Sequence, residues 1–300
     1  RRDGGTGPTA PSGDRGDATP AQVLGWVGGA GADRGRSTGR PWLGAGLAAP
    51  SAVADPDALA LNPLHLAWPA GAPVRRIFAE CVRSAGITGP AFAGNDVNLA
   101  ALAEHRHGAG RGSRDLLCVA TGHRGVGGAL VLDGRLHTGS SGLALEVGHL
   151  TVNPEGRPCH CGSRGCLDVE ADPLALRTAA GRDPVPEVAL LQQAVDLIRN
   201  HYHDPSIRTA TETLIDRLGL GLAGLVNILN PDRIILGGLH RTLLDADPDR
   251  LRAVVAERSL WGRSSGGVPI LACTLDHNSL VGAAELAWQP VLDDPLGALT

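Results

Sequence analysis

Three cysteines within eight residues, with a histidine upstream, restrict this chain more than anything else in it: His149, then Cys159, Cys161 and Cys166. Three thiolates and one imidazole make a donor set that suits a tetrahedral Zn²⁺. Gly162 and Gly165 give the backbone freedom to turn tightly around an ion. Four protein ligands leave no open position for a reactive water, so such a zinc is structural and holds a loop in place. A disulfide within the cluster, or unligated thiols, are the competing readings. The other cysteines, Cys81, Cys118 and Cys273, stand far apart, which is not the spacing of a small disulfide framework and points to a reducing, cytoplasmic setting.

Three hundred residues suffice for two lobes with substantial cores. Net charge is −4, and there is no run of apolar residues long enough to span a bilayer. With no long Lys/Arg cluster to neutralise phosphates, these residues alone are expected to bind DNA poorly. Two Phe, one Tyr and five Trp leave the core to Leu, Val, Ile and Ala. The chain opens Arg1-Arg2, holds no Met and shows no secretory signal, the expectation for a truncated or fragmentary sequence.

Residues 1–20, rich in Gly, Pro, Asp and Thr, read as a disordered arm or linker. A weakly helical stretch follows, then an apolar segment, 42–50, that reads as a buried strand entering a Gly/Pro loop. Val97–His107 reads as a helix with Asn95-Asp96 at its start, so Asp96 has a capping reading beside any chemical one. Leu116–Ala120 and Ala129–Leu132 read as neighbouring strands joined by a Gly-rich connection and followed by a turn at Asp133-Gly134. Leu214, Leu218, Leu222, Leu225 and Leu229 form one helical stripe, stopped at Asn230-Pro231. Arg233–Leu236 reads as a strand, Gly237-Gly238 as a point of close approach, and residues 280–288 as a helix.

Glu146-Val-Gly-His149 with Cys159-His-Cys161-Gly-Ser-Arg-Gly-Cys166-Leu-Asp168 resembles the signature of the repressor, open-reading-frame and sugar-kinase (ROK) family. Gly94-Asn-Asp-Val-Asn98, Gly46-Leu-Ala-Ala-Pro-Ser51, residues 62–68, Gly125-Val-Gly-Gly128 and Leu229–Gly238 follow in the order that family has, over about Ala21 to Trp288. The resemblance implies an α/β, actin-like (RNase H-like) sugar-kinase fold with two lobes around a cleft and an incomplete first lobe. The expected divisions are 21–112, 113–280 with the zinc loop 149–166, and a returning helix at 281–292. It carries sugar contacts over to Asn95, Asp96, Glu146, His149 and Asp168. Asp96 becomes the general base if the chain is a kinase. His149 would serve zinc with one ring nitrogen and sugar with the other. Gly125, Gly127, Gly128, Gly237 and Gly238 match the phosphate and nucleotide side, which would take ATP and Mg²⁺ in a kinase.

The departures fall mostly on that nucleotide side. Asp3-Gly4-Gly5-Thr6 is only an echo of the family's first phosphate loop, and there is little room before Gly46 for the first strands. Gly122-His123-Arg124-Gly125 stands where the family has Gly-Thr-Gly, Asp168 where it has Glu, and Gly94 where it usually has Glu. A kept sugar side with an eroded phosphate side resembles the family's regulators: a domain that binds a sugar or sugar phosphate, as a homodimer or homotetramer, and meets DNA only through a winged helix-turn-helix not legible here. A hexose or N-acetylhexosamine kinase, or an inactive relic, are the alternatives.

Overall fold

The computed structural model describes residues 18–36, 42–61, 68–122, 125–260, 262 and 267–297. The chain divides into two compact units, 1–100 with 139–143 and 277–300, and 101–138 with 144–276.

In the first unit, helix α1 (Pro20–Arg36) begins inside the stretch expected to be a disordered arm. The reason is a reciprocal cap: the Thr19 N–H donates to Gln22 Oε1 at 2.9 Å, the Gln22 N–H points back to Thr19 Oγ1 at 3.4 Å, and Pro20 presets the first helical φ. The rest of that arm, including Asp3–Thr6, lies outside the described residues, as do 62–67. Gly28 lets α1 lie close to α2 (Val74–Ser84): a Cβ there would sit 3.3 Å from Val82 Cγ1. Leu24, Phe78, Val82 and Leu47 share one core.

Strand β1 (Ala45–Ala49) pairs in parallel with β5 (Ala91–Asn95), placing Ala49 beside Asn95. Short strands β2 (Val53–Ala54), β3 (Leu59–Ala60) and β4 (Ala72–Pro73) form an antiparallel patch. The last helix, α10 (Asn278–Asp293), crosses β1 at Gly46, where a Cβ would come within 1.9 Å of the Ala283 carbonyl oxygen. Ahead of Ala45 the described residues hold α1 and no strand.

Helix α3 (Asp96–His107) starts in the first unit and ends in the second, so the division falls after Ala100 rather than near residue 112. The physical reason is Glu104. Its buried carboxylate accepts the N–H groups of Ala109 (2.9 Å), Thr274 (3.0 Å) and Leu275 (2.9 Å), which binds the second half of α3 into the second unit.

The second unit is built on a five-stranded sheet in the order β10 (Ile270–Ala272), β9 (Arg233–Gly237), β6 (Leu116–Thr121), β7 (Val126–Leu132), β8 (Arg135–Leu136). β6 lies parallel to β9 and antiparallel to β7, and Asp133 and Gly134, both at positive φ, turn β7 into β8. Leu116 to Val119 are all fully buried, as a strand covered on both faces requires. Short helix α4 (Leu167–Glu170) leads to α5 (Pro173–Ala179) and α6 (Glu187–His201). Helix α7 (Pro205–Leu229) buries Leu214, Leu218, Leu222 and Leu225 against Leu117 and Val119, with Asp204 capping its start and Asn230 in the left-handed conformation at its end. Helices α8 (Leu239–Ala246) and α9 (Pro248–Arg258) complete the layer.

His240 of α8 is fully buried, with Nε2 at 3.0 Å from the Ala171 carbonyl oxygen. Burial holds its imidazole down to about 4. The folded state therefore keeps His240 neutral, while the unfolded chain takes up a proton below about pH 6.5. Stability from this group is complete above pH 6.5 and declines as pH falls towards 4, by roughly 3 kcal/mol in all. Urea unfolding at pH 7 and pH 4.5 is expected to show the decline, and His240→Gln to flatten it; equal slopes in both proteins would remove His240 as the cause.

Candidate functional site

The cysteine loop is a knuckle closed by its own backbone. The Val152 N–H donates to Gly165 O at 2.8 Å, the Cys159 N–H to Ser163 O at 2.9 Å, and isolated bridges join Thr151 to Cys166 and Pro158 to Arg164. Gly165 is demanded twice: its φ is +62°, and a Cβ would lie 1.5 Å from the Asn153 carbonyl oxygen. Gly162 (φ +91°) has open space around it and needs only the conformation.

This fold brings one ligand atom each from His149, Cys159, Cys161 and Cys166 within 4.8 Å of one another. Cys159 Sγ lies 3.8 Å from His149 Nδ1, and Cys161 Sγ lies 3.7 Å from Cys166 Sγ. Metal–sulfur bonds of about 2.3 Å in a tetrahedron separate their ligand atoms by about 3.7 Å, so these spacings fit a bound ion and are too long for a disulfide. Burial pushes the Cys166 thiol up to about 12 and raises Cys159, whereas the Ser163 N–H lowers exposed Cys161. A divalent cation entering here would displace thiol protons. Because Nδ1 of His149 faces the thiols, Nε2 is the ring nitrogen left for another partner.

Around this loop stand the other second-unit residues singled out in the sequence. His149 ends a 3₁₀ turn (Val147–His149) that Glu146 precedes. Glu146 is exposed; partial desolvation raises its carboxyl, the Asp168 charge adds to the rise and His149 opposes it. Asp168, in α4, is buried, and its Oδ1 accepts the Val126 N–H at 2.7 Å. Sequence reasoning passed over His160, whose Nδ1 lies 3.5 Å from Asp168 Oδ2 and whose ring meets His149 edge-on at 5.2 Å.

In the first unit, Asn95 and Asp96 sit where β5 becomes α3. Asn95 Oδ1 accepts the N–H groups of Val97 and Asn98, both at 3.0 Å, and its Nδ2 donates to Ser51 O at 3.0 Å. Its side chain is thus engaged in capping the helix and fixing the loop after β1. Asp96 Oδ1 accepts the Val97 N–H at 2.9 Å. Burial pushes the Asp96 carboxyl up to about 6, against the lowering effect of that amide. A carboxyl poised there can accept a proton from a hydroxyl near neutral pH.

The glycines matched to a phosphate side have packing roles. A Cβ on Gly128 would strike Val147 Cγ2 at 2.5 Å, and one on Gly237 would come 2.9 Å from Ala120 Cβ. Gly238 (φ +60°) presses on Thr121, whose Oγ1 accepts the Leu239 N–H at 2.7 Å, at the first residue of α8. Gly125 (φ +76°) abuts Asp168, Gly127 pairs with Ala120 in the β6–β7 ladder, and His123 and Arg124 lie outside the described residues. Among the described residues no helix is long and apolar enough to cross a membrane.

Known proteins resemble this chain in sequence and in fold. The chain is 32% identical to the glucokinase of Streptomyces coelicolor over 69% of each chain, and 32% identical to that of Halalkalibacterium halodurans over 65% of this chain and 61% of the relative. It is 29% identical to the N-acetylglucosamine repressor of Escherichia coli O157:H7 over 67% of this chain and 51% of the repressor. It therefore spans between half and about two thirds of these relatives' lengths. Among solved structures, the ROK family glucokinase from Streptomyces griseus, in complex with glucose and AMPPNP, matches with a TM-score of 0.75 at 28% identity, covering 91% of this chain and 90% of that one. A ROK family transcriptional regulator, homolog of the E. coli MLC protein, matches in fold with a TM-score of 0.72 at 21% identity, covering 92% and 70%. These neighbours carry the actin-like sugar-kinase fold expected from the sequence. With the family's profile matching residues 34–290, and with the Glu146–Asp168 signature folded into one cluster, this chain belongs to the ROK family.

Proposed function

We propose that the chain is the sugar-binding effector domain of a ROK transcriptional regulator, with a structural zinc on His149, Cys159, Cys161 and Cys166. The observation that carries this reading is the engagement of backbone amides on the phosphate side: Asp168 takes the Val126 N–H and Thr121 takes the Leu239 N–H. Backbone N–H groups of Gly-rich strand connections and of helix starts are what a phosphate would use, and a carboxylate already seated on one, as Asp168 is on Val126, repels it. Asp96, Glu146 and His149 are the residues that the family resemblance assigns to sugar hydroxyls. Asn95 is a positioning residue, since its amide is committed to α3 and Ser51. In this reading the domain works as a homodimer or homotetramer and affects DNA through a winged helix-turn-helix, by favouring one of two conformations when sugar binds.

The second reading is an ATP- and Mg²⁺-dependent sugar kinase. Its support is the raised Asp96 carboxyl, suited to a general base, together with the likeness to glucokinases. Titration calorimetry of the zinc-loaded protein with glucose, N-acetylglucosamine, xylose and their phosphates, with and without ATP and Mg²⁺, separates the two. Sugar binding without ADP release, weakened about tenfold or more by Asp96→Asn or Glu146→Ala, is the expected result. Sugar-dependent ADP release abolished by Asp96→Asn would establish the kinase instead. Affinity is expected to fall as pH drops through about 6, because Asp96 then takes a proton and ceases to be a charged acceptor. A pH-independent affinity between 5 and 7.5 would remove Asp96 from the contact.

A further inference from the structure

Asp168 stands where a sugar contact is expected, yet its surroundings are those of a strut. The carboxylate is almost wholly buried, and Oδ1 occupies a slot made of three backbone positions. It lies 2.7 Å from the Val126 nitrogen, and it would be 2.9 Å from a Cβ on Gly125 and 3.0 Å from a Cβ on Gly148. A Cβ on Gly148 would also come 2.2 Å from the Val126 carbonyl oxygen. Both glycines are thus needed for the oxygen to reach the amide. One wall of the slot and its occupant are each chained to the cysteine loop: Gly148 precedes the metal-facing His149, and Asp168 follows Cys166 by two residues. The Leu167 N–H, donated to Leu150 O at 2.8 Å, ties these two segments together.

We propose that Asp168 is a positioning residue whose carboxylate fastens Gly125 and Val126, at the entry to β7, to the cysteine loop, so that a metal on that loop also orders the start of β7. The shorter acid is what the slot accepts; a glutamate, one methylene longer, would have to fold back on itself to reach the same amide. His160 borders Oδ2 and, through its edge contact with His149, adds a second link between strut and metal residues. An anion built in at the start of β7 also disfavours a phosphate there, which deepens the sensor reading. The link to metal rests on the zinc reading of the loop, whereas the strut does not.

Hydrogen exchange of the Val126 amide, followed by NMR on the whole chain, tests both parts, with zinc content measured first. In the zinc-loaded protein Asp168→Ala is expected to speed Val126 exchange about tenfold to a hundredfold while Leu117 and Leu130, deep in the same sheet, stay protected. Asp168→Asn, which keeps an oxygen but loses the charge, should fall between. Chelation of the metal should speed Val126 exchange in the unaltered protein and add nothing in Asp168→Ala. Val126 protection unchanged by Asp168→Ala overturns the strut. Acceleration by Asp168→Ala without any response to chelation overturns the coupling to metal. A chain that carries no zinc overturns the zinc reading and the coupling together, and leaves the strut to be decided by Asp168→Ala alone.

Discussion

Cys166→Ser is expected to take the protein from one bound zinc per chain to almost none after dialysis, and to lower its melting temperature by about 10 °C or more. Cys166 is fully buried, and its Sγ lies 3.7 Å from Cys161 Sγ, a tetrahedral edge. A serine oxygen is a harder donor set further from the ion, so three ligands remain and the binding free energy that would otherwise stabilise the fold is largely lost. Cys161→Ser is the instructive companion, because Cys161 is exposed. Both variants should lose metal, but without metal Cys161→Ser should melt like the stripped protein, whereas Cys166→Ser should melt lower because its hydroxyl is fully buried. Calorimetry and metal analysis of the three proteins, loaded and stripped, check this. Full metal retention by Cys166→Ser, or an unaltered protein that melts identically with and without metal, would show that the cluster holds no structural ion.

Glu104→Ala should destabilise the second unit by about 4 kcal/mol, a loss that does not depend on any ligand. Its carboxylate is fully buried and receives the N–H groups of Ala109, Thr274 and Leu275 and the Thr274 hydroxyl, the last at 3.2 Å. Removing it leaves those donors inside the protein with no acceptor, and each such orphan costs about 1 to 3 kcal/mol before any relaxation. Glu104→Gln keeps one acceptor oxygen but turns an NH₂ group towards amide donors, so about half the loss is expected. Denaturant unfolding at pH 7 gives the comparison. A change below about 1 kcal/mol for Glu104→Ala would mean that water replaces the carboxylate and that Glu104 does not join α3 to the strand β10 end.

Much of the fold follows from short-range signals. The stripe Leu214 to Leu229 lies on one helix face, so period alone identifies α7. Asp133-Gly134 at the β7–β8 turn is legible for a similar reason, since few residue pairs adopt two successive positive φ values. The start of α1 was equally present as Thr19-Pro20-Ala21-Gln22, but its Gly- and Pro-rich approach masks it. The donor set of the candidate metal centre is legible because ligand type and spacing carry most of the chemistry.

Other features have no local trace. Glu104 meets Thr274 across 170 residues, and Asp168 meets Val126 across 42. By sequence the first is one polar residue of a helix and the second one acid of a motif. By itself the sequence determined the family, the helix and strand periods, and the four candidate ligands, because each rests on residue type and near spacing. Only the tertiary structure decided which acids are committed to backbone amides and where one unit gives way to the other. A carboxylate's partner is set by whatever the folded backbone brings within about 3 Å of it, and periodicity carries no information about that distance.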